Sequence, residues 1–74
     1  MSEKGFVVVL CTAGQTEVEK LAEALVTERL AACVNIGPVR SCYIWEGKLC
    51  WDGEVLLMIK TTADLVEALK KRIL

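Results

Sequence analysis

Thiols are the most reactive side chains in this sequence, which has no imidazole. The chain contains four cysteines and no histidine. Cys11, Cys33, Cys42 and Cys50 form no Cys-x-x-Cys pair, which argues against a zinc knuckle or another closed metal site. Without histidine, no side chain has an ordinary pKa suited to general base catalysis near neutral pH. The sequence therefore predicts a protein that is not an enzyme and requires no cofactor.

The composition predicts a small domain with surplus apolar surface. The 74 residues form one domain, 1–74, in which 54% are hydrophobic and the mean hydropathy is +0.44. Because so short a chain buries only part of its apolar surface, we expect some of it to contact another subunit. The net charge of −1 gives no electrostatic reason to bind nucleic acid or an anionic membrane.

The longest apolar run does not predict a membrane segment. The run from Phe6 to Ala13 is too short to span a bilayer. The charges of Glu3 and Lys4 before it cancel, so the positive flank of a signal peptide is missing. We therefore expect a cytoplasmic protein with reduced cysteines and no membrane partner.

The spacing of apolar residues predicts a strand followed by a helix. The unbroken run from Phe6 to Cys11 is typical of a strand that is covered on both faces and is therefore central in its sheet. Thr16-Glu-Val-Glu19 matches a capping box that begins a helix. Its apolar face is predicted to contain Val18, Leu21, Ala22, Leu25 and Leu30.

Between Cys33 and Ile59 the apolar spacing changes to two, which predicts a hairpin with its turn at Glu46-Gly47. Gly37-Pro38 predicts a bend, a bulge or an edge position. Most apolar residues of the two strands have odd numbers: Val39, Tyr43, Leu49, Trp51, Val55, Leu57 and Ile59. Odd residues of both strands share a face only if the loop has an odd length. We therefore expect a three-residue loop in which Gly47 has a positive φ.

This parity also predicts where the hairpin cysteines lie. Cys42 and Cys50 would share a face, either as a pair that binds a soft metal or as incidental thiols. Cys33, between helix and strand, is predicted to lie in the core. The second strand has one polar face near the turn and two apolar faces further on, so we expect the hairpin to project beyond the body of the domain.

Three aromatic side chains lie close to the predicted turn: Tyr43, Trp45 and Trp51. They either pack within the subunit or form part of a subunit interface, where aromatic residues are enriched. Because the hairpin is expected to project beyond the body, we favour the interface.

A second helix is predicted at the end of the chain, capped by Thr61 or Thr62. Its apolar stripe contains Leu65, Val66, Leu69 and Ile73. Glu67 stands four residues before Lys71, and we expect the two to pair. The Lys70-Lys71-Arg72 triplet is typical of a solvated helix end, with an anion site as the alternative.

The order of these elements is β-α-β-β-α, a ferredoxin-like α+β arrangement with an antiparallel sheet that lacks its last strand. That strand normally lies beside the first, so we expect the first strand to have an open edge that another chain could fill. The loop Thr12-Ala-Gly-Gln15 lacks both the arginine of an acylphosphatase and the Cys-x-x-Cys motif of a heavy-metal-associated domain.

Four segments, in this order, resemble the CutA divalent-cation-tolerance family: Val-Val-Leu-Cys-Thr-Ala13, Glu28-Arg-Leu-Ala-Ala-Cys-Val-Asn-Ile36, Ser41-x-Tyr-x-Trp-Glu-Gly-Lys48 and Glu54-Val-Leu-Leu-Met-Ile-Lys-Thr-Thr62. The resemblance covers the chain from Phe6 onward. Members of the family continue after the second helix with a His-Pro-Tyr-Glu-like segment, a strand and a helix. This sequence ends at Leu74, so we expect a C-terminally incomplete domain. Gly37-Pro38 also replaces the family's Pro-Gly order.

The resemblance implies a homotrimer that packs through long hairpins and functions in tolerance of copper and other divalent metals. It also implies a likeness to PII signalling trimers, so a second function stays open: a signalling or scaffold trimer that binds a partner or a small ligand at its subunit clefts. In relatives with a cysteine at the position of Cys11, this thiol is a suggested copper ligand, and thiolate suits Cu(I). The alternative for Cys11 is a small buried hydrophobic side chain.

Overall fold

The computed structural model describes residues 5–74 and confirms the β-α-β-β-α order. The strands and helices are β1 (Phe6–Ala13), α1 (Val18–Thr27), β2 (Cys33–Trp45), β3 (Lys48–Thr62) and α2 (Val66–Ile73), with a short 3-10 helix at Ala63–Leu65 before α2. The flank of Glu3 and Lys4, which argued against a signal peptide, lies outside the described residues.

The three strands form one antiparallel sheet in the order β1-β3-β2. Phe6 lies opposite Thr62 at one end of the β1–β3 pair, and Ala13 lies opposite Val55 at the other. Within residues 5–74 β1 pairs only with β3, so the predicted open edge of the first strand is observed, whereas the central position indicated by its apolar run is not. Its apolar run indicated two faces that favour burial, but an apolar run does not specify which chain or segment covers them.

The hairpin turn contains two residues, because Trp45 pairs directly with Lys48. Glu46 and Gly47 have φ angles of 51° and 76°. Two left-handed residues are the signature of a type I′ turn, whose twist matches that of the flanking strands. The predicted positive φ of Gly47 is observed, but the predicted three-residue loop is wrong.

Because the loop has two residues, odd residues of β2 pair with even residues of β3. The prediction that odd residues of both strands share a face is therefore wrong. The two faces of the sheet therefore differ from those predicted. We call them the helix-covered face, which carries Leu57 and Ile59, and the helix-free face, which carries Met58. Cys42 pairs with Trp51, and Tyr43 pairs with Cys50. Cys42 and Cys50 consequently lie on opposite faces, so the predicted pair does not form.

The core lies on the helix-covered face, where both helices pack against the sheet. Its buried apolar side chains are Val18, Leu25, Ala31, Leu57, Ile59 and Leu69. Cys33 was predicted to be in the core but is exposed. The reason is its register: Cys33 begins β2 opposite Lys60, an even residue of β3, and therefore lies on the helix-free face.

Both ends of α1 are capped by backbone hydrogen bonds. The predicted Thr16–Glu19 capping box is absent: Glu17 is the N-cap and makes no side-chain capping bond. The N–H groups of Glu17 and Val18 instead both donate to the carbonyl oxygen of Gly14, at 3.0 and 3.1 Å. At the C-terminal end, Arg29 has a left-handed φ of 62°.

The last helix begins and ends differently from the prediction. Thr62 precedes the 3-10 helix without a side-chain capping bond, and the hydroxyl of Thr61 donates to the carbonyl of Leu30 at 2.7 Å. Glu67 pairs with Lys70 at 3.7 Å and not with Lys71.

The basic triplet at the end of α2 is more than a solvated helix end. Arg72 donates two hydrogen bonds to the carboxylate of Glu28, at 2.8 and 3.1 Å, although the residues are 44 positions apart. This pair connects the end of α2 to the end of α1. The hydrogen bond from Arg72 is the main reason that the pKa of Glu28 is lowered from its ordinary value.

The hairpin projects beyond the body of the domain, as predicted. Pairing between β1 and β3 ends at Val55, so residues 39–54 form a two-stranded ribbon, which we call the arm. The chain measures 45 × 23 × 19 Å along its principal axes.

Candidate functional site

The helix-free face of the sheet is an apolar surface in the body of the domain. Phe6, Val8 and Leu10 of β1 are each more than half exposed there, at 58%, 57% and 63%. Met58 of the central strand is also exposed, and Leu56 beside it is half-buried. A contiguous exposed patch of this kind marks an interaction surface on a water-soluble domain.

The three aromatic residues predicted for an interface lie on the arm but do not form one cluster. Tyr43 and Trp45 are on the helix-free face, whereas Trp51 is on the opposite face, as the pairing of the arm requires. Trp45 and Trp51 are 64% and 56% exposed. The guanidinium of Arg40 lies 4.8 Å from the ring centroid of Trp51, a cation–π contact that holds this ring against the arm.

Two further apolar side chains extend the Trp51 side of the arm. Ile44 and Leu49 are cross-strand partners on that face, and both are largely exposed. The three-residue loop expected from the sequence would not have placed Ile44 opposite Leu49. A two-residue Glu-Gly loop would have paired them, so the loop length was the missing signal.

Hydroxyl–carboxylate hydrogen bonds cross the arm on its helix-free face. Tyr43 donates to Asp52, and Ser41 donates to Glu54. The bond to Asp52 is the first of several causes that raise the pKa of the Tyr43 hydroxyl to about 12. Tyr43 is therefore a neutral donor at physiological pH, and both carboxylates have a hydroxyl partner within the chain.

Cys11 lies on the helix-covered face, where it is half-buried and packs against the core. Its cross-strand partner is the fully buried Leu57. No group of three or more His, Cys, Asp or Glu residues within residues 5–74 is arranged to hold a metal ion. Cys11 alone therefore does not fit a metal site, and its role as a copper ligand stays a prediction.

A shallow cleft of about 330 Å³ lies where the start of α1 approaches β2 and β3. It is lined by Gln15, Val18, Glu19, Ile36, Gly37, Pro38 and Val55. The lining is mainly apolar, with one carboxylate and one amide at its rim. This mixture suits a small ligand with an apolar body and a few polar groups.

Comparison with known proteins gives the family. A family model described as the CutA1 divalent ion tolerance protein matches residues 7–74. The chain belongs to the CutA family. The confirmed β-α-β-β-α order and antiparallel sheet agree with this membership, since structural neighbours of the chain are CutA proteins of the ferredoxin-like fold.

Curated CutA relatives are longer than this chain. The divalent-cation tolerance protein CutA of Thermus thermophilus is 50% identical over 68 residues, covering 89% of this chain and 66% of the relative. The chloroplastic CutA of Arabidopsis thaliana is 48% identical over 69 residues, covering 90% of this chain and 38% of the relative. The chain thus spans less than two thirds of the length of either. Both relatives are named as CutA proteins, and the name of the first also states divalent-cation tolerance. Neither name describes an enzyme.

Three solved CutA structures have the same fold as this chain and are each more than 30% identical to it in sequence. A PII-like CutA from Nostoc in apo form has a TM-score of 0.80 and 41% identity, covering 89% of this chain and 64% of the other. CutA from Synechococcus elongatus complexed with Bis-Tris has a TM-score of 0.81 and 32% identity, covering 93% and 70%. A periplasmic CutA from Archaeoglobus fulgidus has a TM-score of 0.84 and 31% identity, covering 93% and 69%.

Compartment differs among these relatives, which are named chloroplastic in one case and periplasmic in another. The structure offers one related observation: none of the helices within residues 5–74 has the length and apolar character needed to cross a membrane. A cytoplasmic location for this chain stays a prediction.

Proposed function

We propose that this chain is a subunit of a homotrimer that functions in tolerance of copper and other divalent metal ions. The CutA family and the names of its members support the tolerance role. The observation that carries the assembly is the exposed apolar surface of the helix-free face, formed by Phe6, Val8, Leu10 and Met58. In this proposal the chain serves binding and assembly, without catalysis and without nucleic acid or membrane as partners.

The arm supplies a second argument for self-association. A two-stranded ribbon is marginally stable in water when it stands alone. The arm of residues 39–54 carries large exposed side chains on both faces, with Trp45 on one and Trp51 on the other. Burial of such side chains contributes about 25 cal/mol per Å² of apolar surface. Contact with neighbouring copies would therefore stabilise both the arm and the assembly.

In this proposal the assembled protein, and not one subunit alone, responds to the metal ion. Because Cys11 alone does not fit a metal site, the function contains no step in which one subunit binds the ion. The chain's own contribution is the apolar surface that brings copies together.

Measurement of molar mass tests the assembly. Static light scattering at micromolar concentration should give three times the mass of one chain. Trp45→Asp and Leu10→Asp should each shift the protein toward monomer, because each replaces an exposed apolar side chain of the contact with a charged one. Lys71→Asp, on an exposed part of α2, is the control and should leave the mass unchanged. A folded monomer for the unaltered chain would show that the proposal is wrong.

A second candidate function is a PII-like trimer that binds a small ligand or a partner at its clefts. The cleft beside Gln15 and Glu19 favours it, together with the relatives that are named as PII-like and as complexed with Bis-Tris. Bis-Tris is a suitable probe, and its amine should be attracted by Glu19. Changes in NMR amide chemical shifts that are confined to this cleft, and that are smaller in Glu19→Gln, would support ligand binding. No change in chemical shift at millimolar Bis-Tris would argue against it.

A further inference from the structure

One cation, Lys60, interrupts the apolar surface in the body of the helix-free face; Lys48, also on this face, lies at the tip of the arm. Lys60 lies on the central strand between Val8 of β1 and Cys33 of β2, which are its cross-strand partners. Its side chain forms no ion pair within residues 5–74. As long as this face is solvated, an exposed ammonium costs nothing. If the face becomes covered, Lys60 must find a counter-charge or lose its hydration, which strongly disfavours the contact.

The same face carries its acidic groups at the other end. Asp52 and Glu54 are even residues of the same strand, so they face the same side as Lys60. They are the only carboxylates that the three strands place on the helix-free face. Six residues of strand separate Glu54 from Lys60, a distance of about 20 Å at ~3.3 Å per residue. Lys60 therefore cannot reach either carboxylate within its own chain.

From the base of the arm to the body, the helix-free face is thus polarised along the sheet. The body is basic at Lys60, the base of the arm is acidic at Asp52 and Glu54, and exposed Leu10 and Met58 lie between them. Lys48 at the tip of the arm carries a second positive charge. Two copies that place the arm of one on the body of the next bring opposite charges together. Two copies that superpose body on body bring the lysines together instead, which is disfavoured.

We propose that Lys60 of one copy pairs with the Asp52 and Glu54 carboxylates of the next, and that this pair sets a head-to-tail contact between copies. The proposal rests on the self-association proposed above and adds its polarity. A head-to-tail contact uses two different surfaces of each subunit, so it closes into a ring when the rotation permits. A cyclic trimer satisfies this polarity, because the arm of each copy then lies on the body of the next.

Charge reversal provides the test. Lys60→Glu should raise the dissociation constant of the assembly at least about thirtyfold, because truncation or reversal of one partner in a buried charge pair is costly. Asp52→Lys combined with Glu54→Lys should weaken assembly likewise. The three substitutions together should recover most of the loss. Lys71→Glu on α2 is the matched control, and sedimentation velocity with far-UV circular dichroism measures both mass and folding.

The outcomes separate this inference from the proposed function. A trimer that is unaffected by Lys60→Glu would overturn the charge pair while leaving the trimer intact. A chain that is monomeric before any substitution would overturn both. If added sulfate strengthens assembly of the unaltered chain but not of Lys60→Glu, the lysines meet around an anion and the head-to-tail pair is wrong. Recovery in the triple variant without added anion supports it.

Discussion

Substitution of Gly47 tests the two-residue turn that sets the register of the arm. Glu46 and Gly47 both have left-handed φ angles, of 51° and 76°, as a type I′ turn requires. A Cβ built on Gly47 would meet no atom within 4 Å. The cost of a side chain at this position therefore arises from backbone conformation and not from a steric clash.

The expected magnitude follows from two opposing effects. A left-handed conformation costs an L-residue about 1–2 kcal/mol, and a β-branched residue is the least tolerant of it. Replacing glycine recovers about 0.4–1 kcal/mol by restricting the unfolded chain. We expect Gly47→Val to lower the free energy of unfolding by about 1 kcal/mol or more, because the strain of valine exceeds this recovery. Gly47→Asn should cost less, since asparagine adopts the left-handed region more readily.

Gly53 in the same arm offers a matched control. A Cβ at Gly53 also meets no atom within 4 Å, and its φ lies outside the left-handed region. Gly53→Val should therefore leave stability equal or increase it, because valine favours a strand. Urea unfolding followed by circular dichroism, at one protein concentration for all variants, gives the midpoints. Equal midpoints for Gly47→Val and Gly53→Val would refute the turn assignment.

Three further predictions address the core, an ion pair and metal binding. Leu57→Ala should lower the free energy of unfolding by about 2–5 kcal/mol because Leu57 is fully buried. Met58→Ala, on the helix-free face, is the control and should lower it by less than half as much. Urea unfolding at low protein concentration measures both. Because the Arg72 hydrogen bond lowers the pKa of Glu28, its stabilisation is present above the ordinary pKa of 4.5 and is lost as pH falls through the lowered value. The unfolding midpoint of Glu28→Gln should thus lie below that of the unaltered chain at neutral pH and meet it in strong acid; a constant difference would contradict this. Native mass spectrometry of the reduced chain should show no sub-micromolar binding of Cu(II) or Zn(II), and tight binding abolished by Cys11→Ser would contradict this expectation.

The strands and helices could be predicted from the sequence because their spacing is strongly periodic. Val18 and Leu25 recur at helical spacing and are both buried. The hairpin turn at Glu46-Gly47 was also predicted correctly, but its length was not. A one-residue difference in loop length moves every side chain of a strand to the other face. The arm has exposed apolar side chains on both faces, such as Trp45 and Ile44, so its apolar pattern does not distinguish a two-residue loop from a three-residue loop.

The candidate site could be predicted only in part, for a different physical reason. The aromatic residues of the arm were identified because they exceed what a small core can cover. The apolar run of β1 was expected to be covered on both faces, but its Val8 is exposed on the helix-free face. Hydrophobicity shows that a side chain favours burial, not which molecule buries it. The Arg72–Glu28 pair was missed because local spacing contains no signal for partners 44 residues apart.

The separation of the two faces has a consequence for how this chain can change. The core side chains, such as Leu25 and Leu57, all lie on the helix-covered side. The helix-free face contributes no buried apolar side chain to the core of residues 5–74. Substitutions there should therefore alter assembly with little effect on the folding of one subunit. Lys60 is the informative position, because it is the charged residue of the central strand in the body of this face and forms no ion pair within residues 5–74.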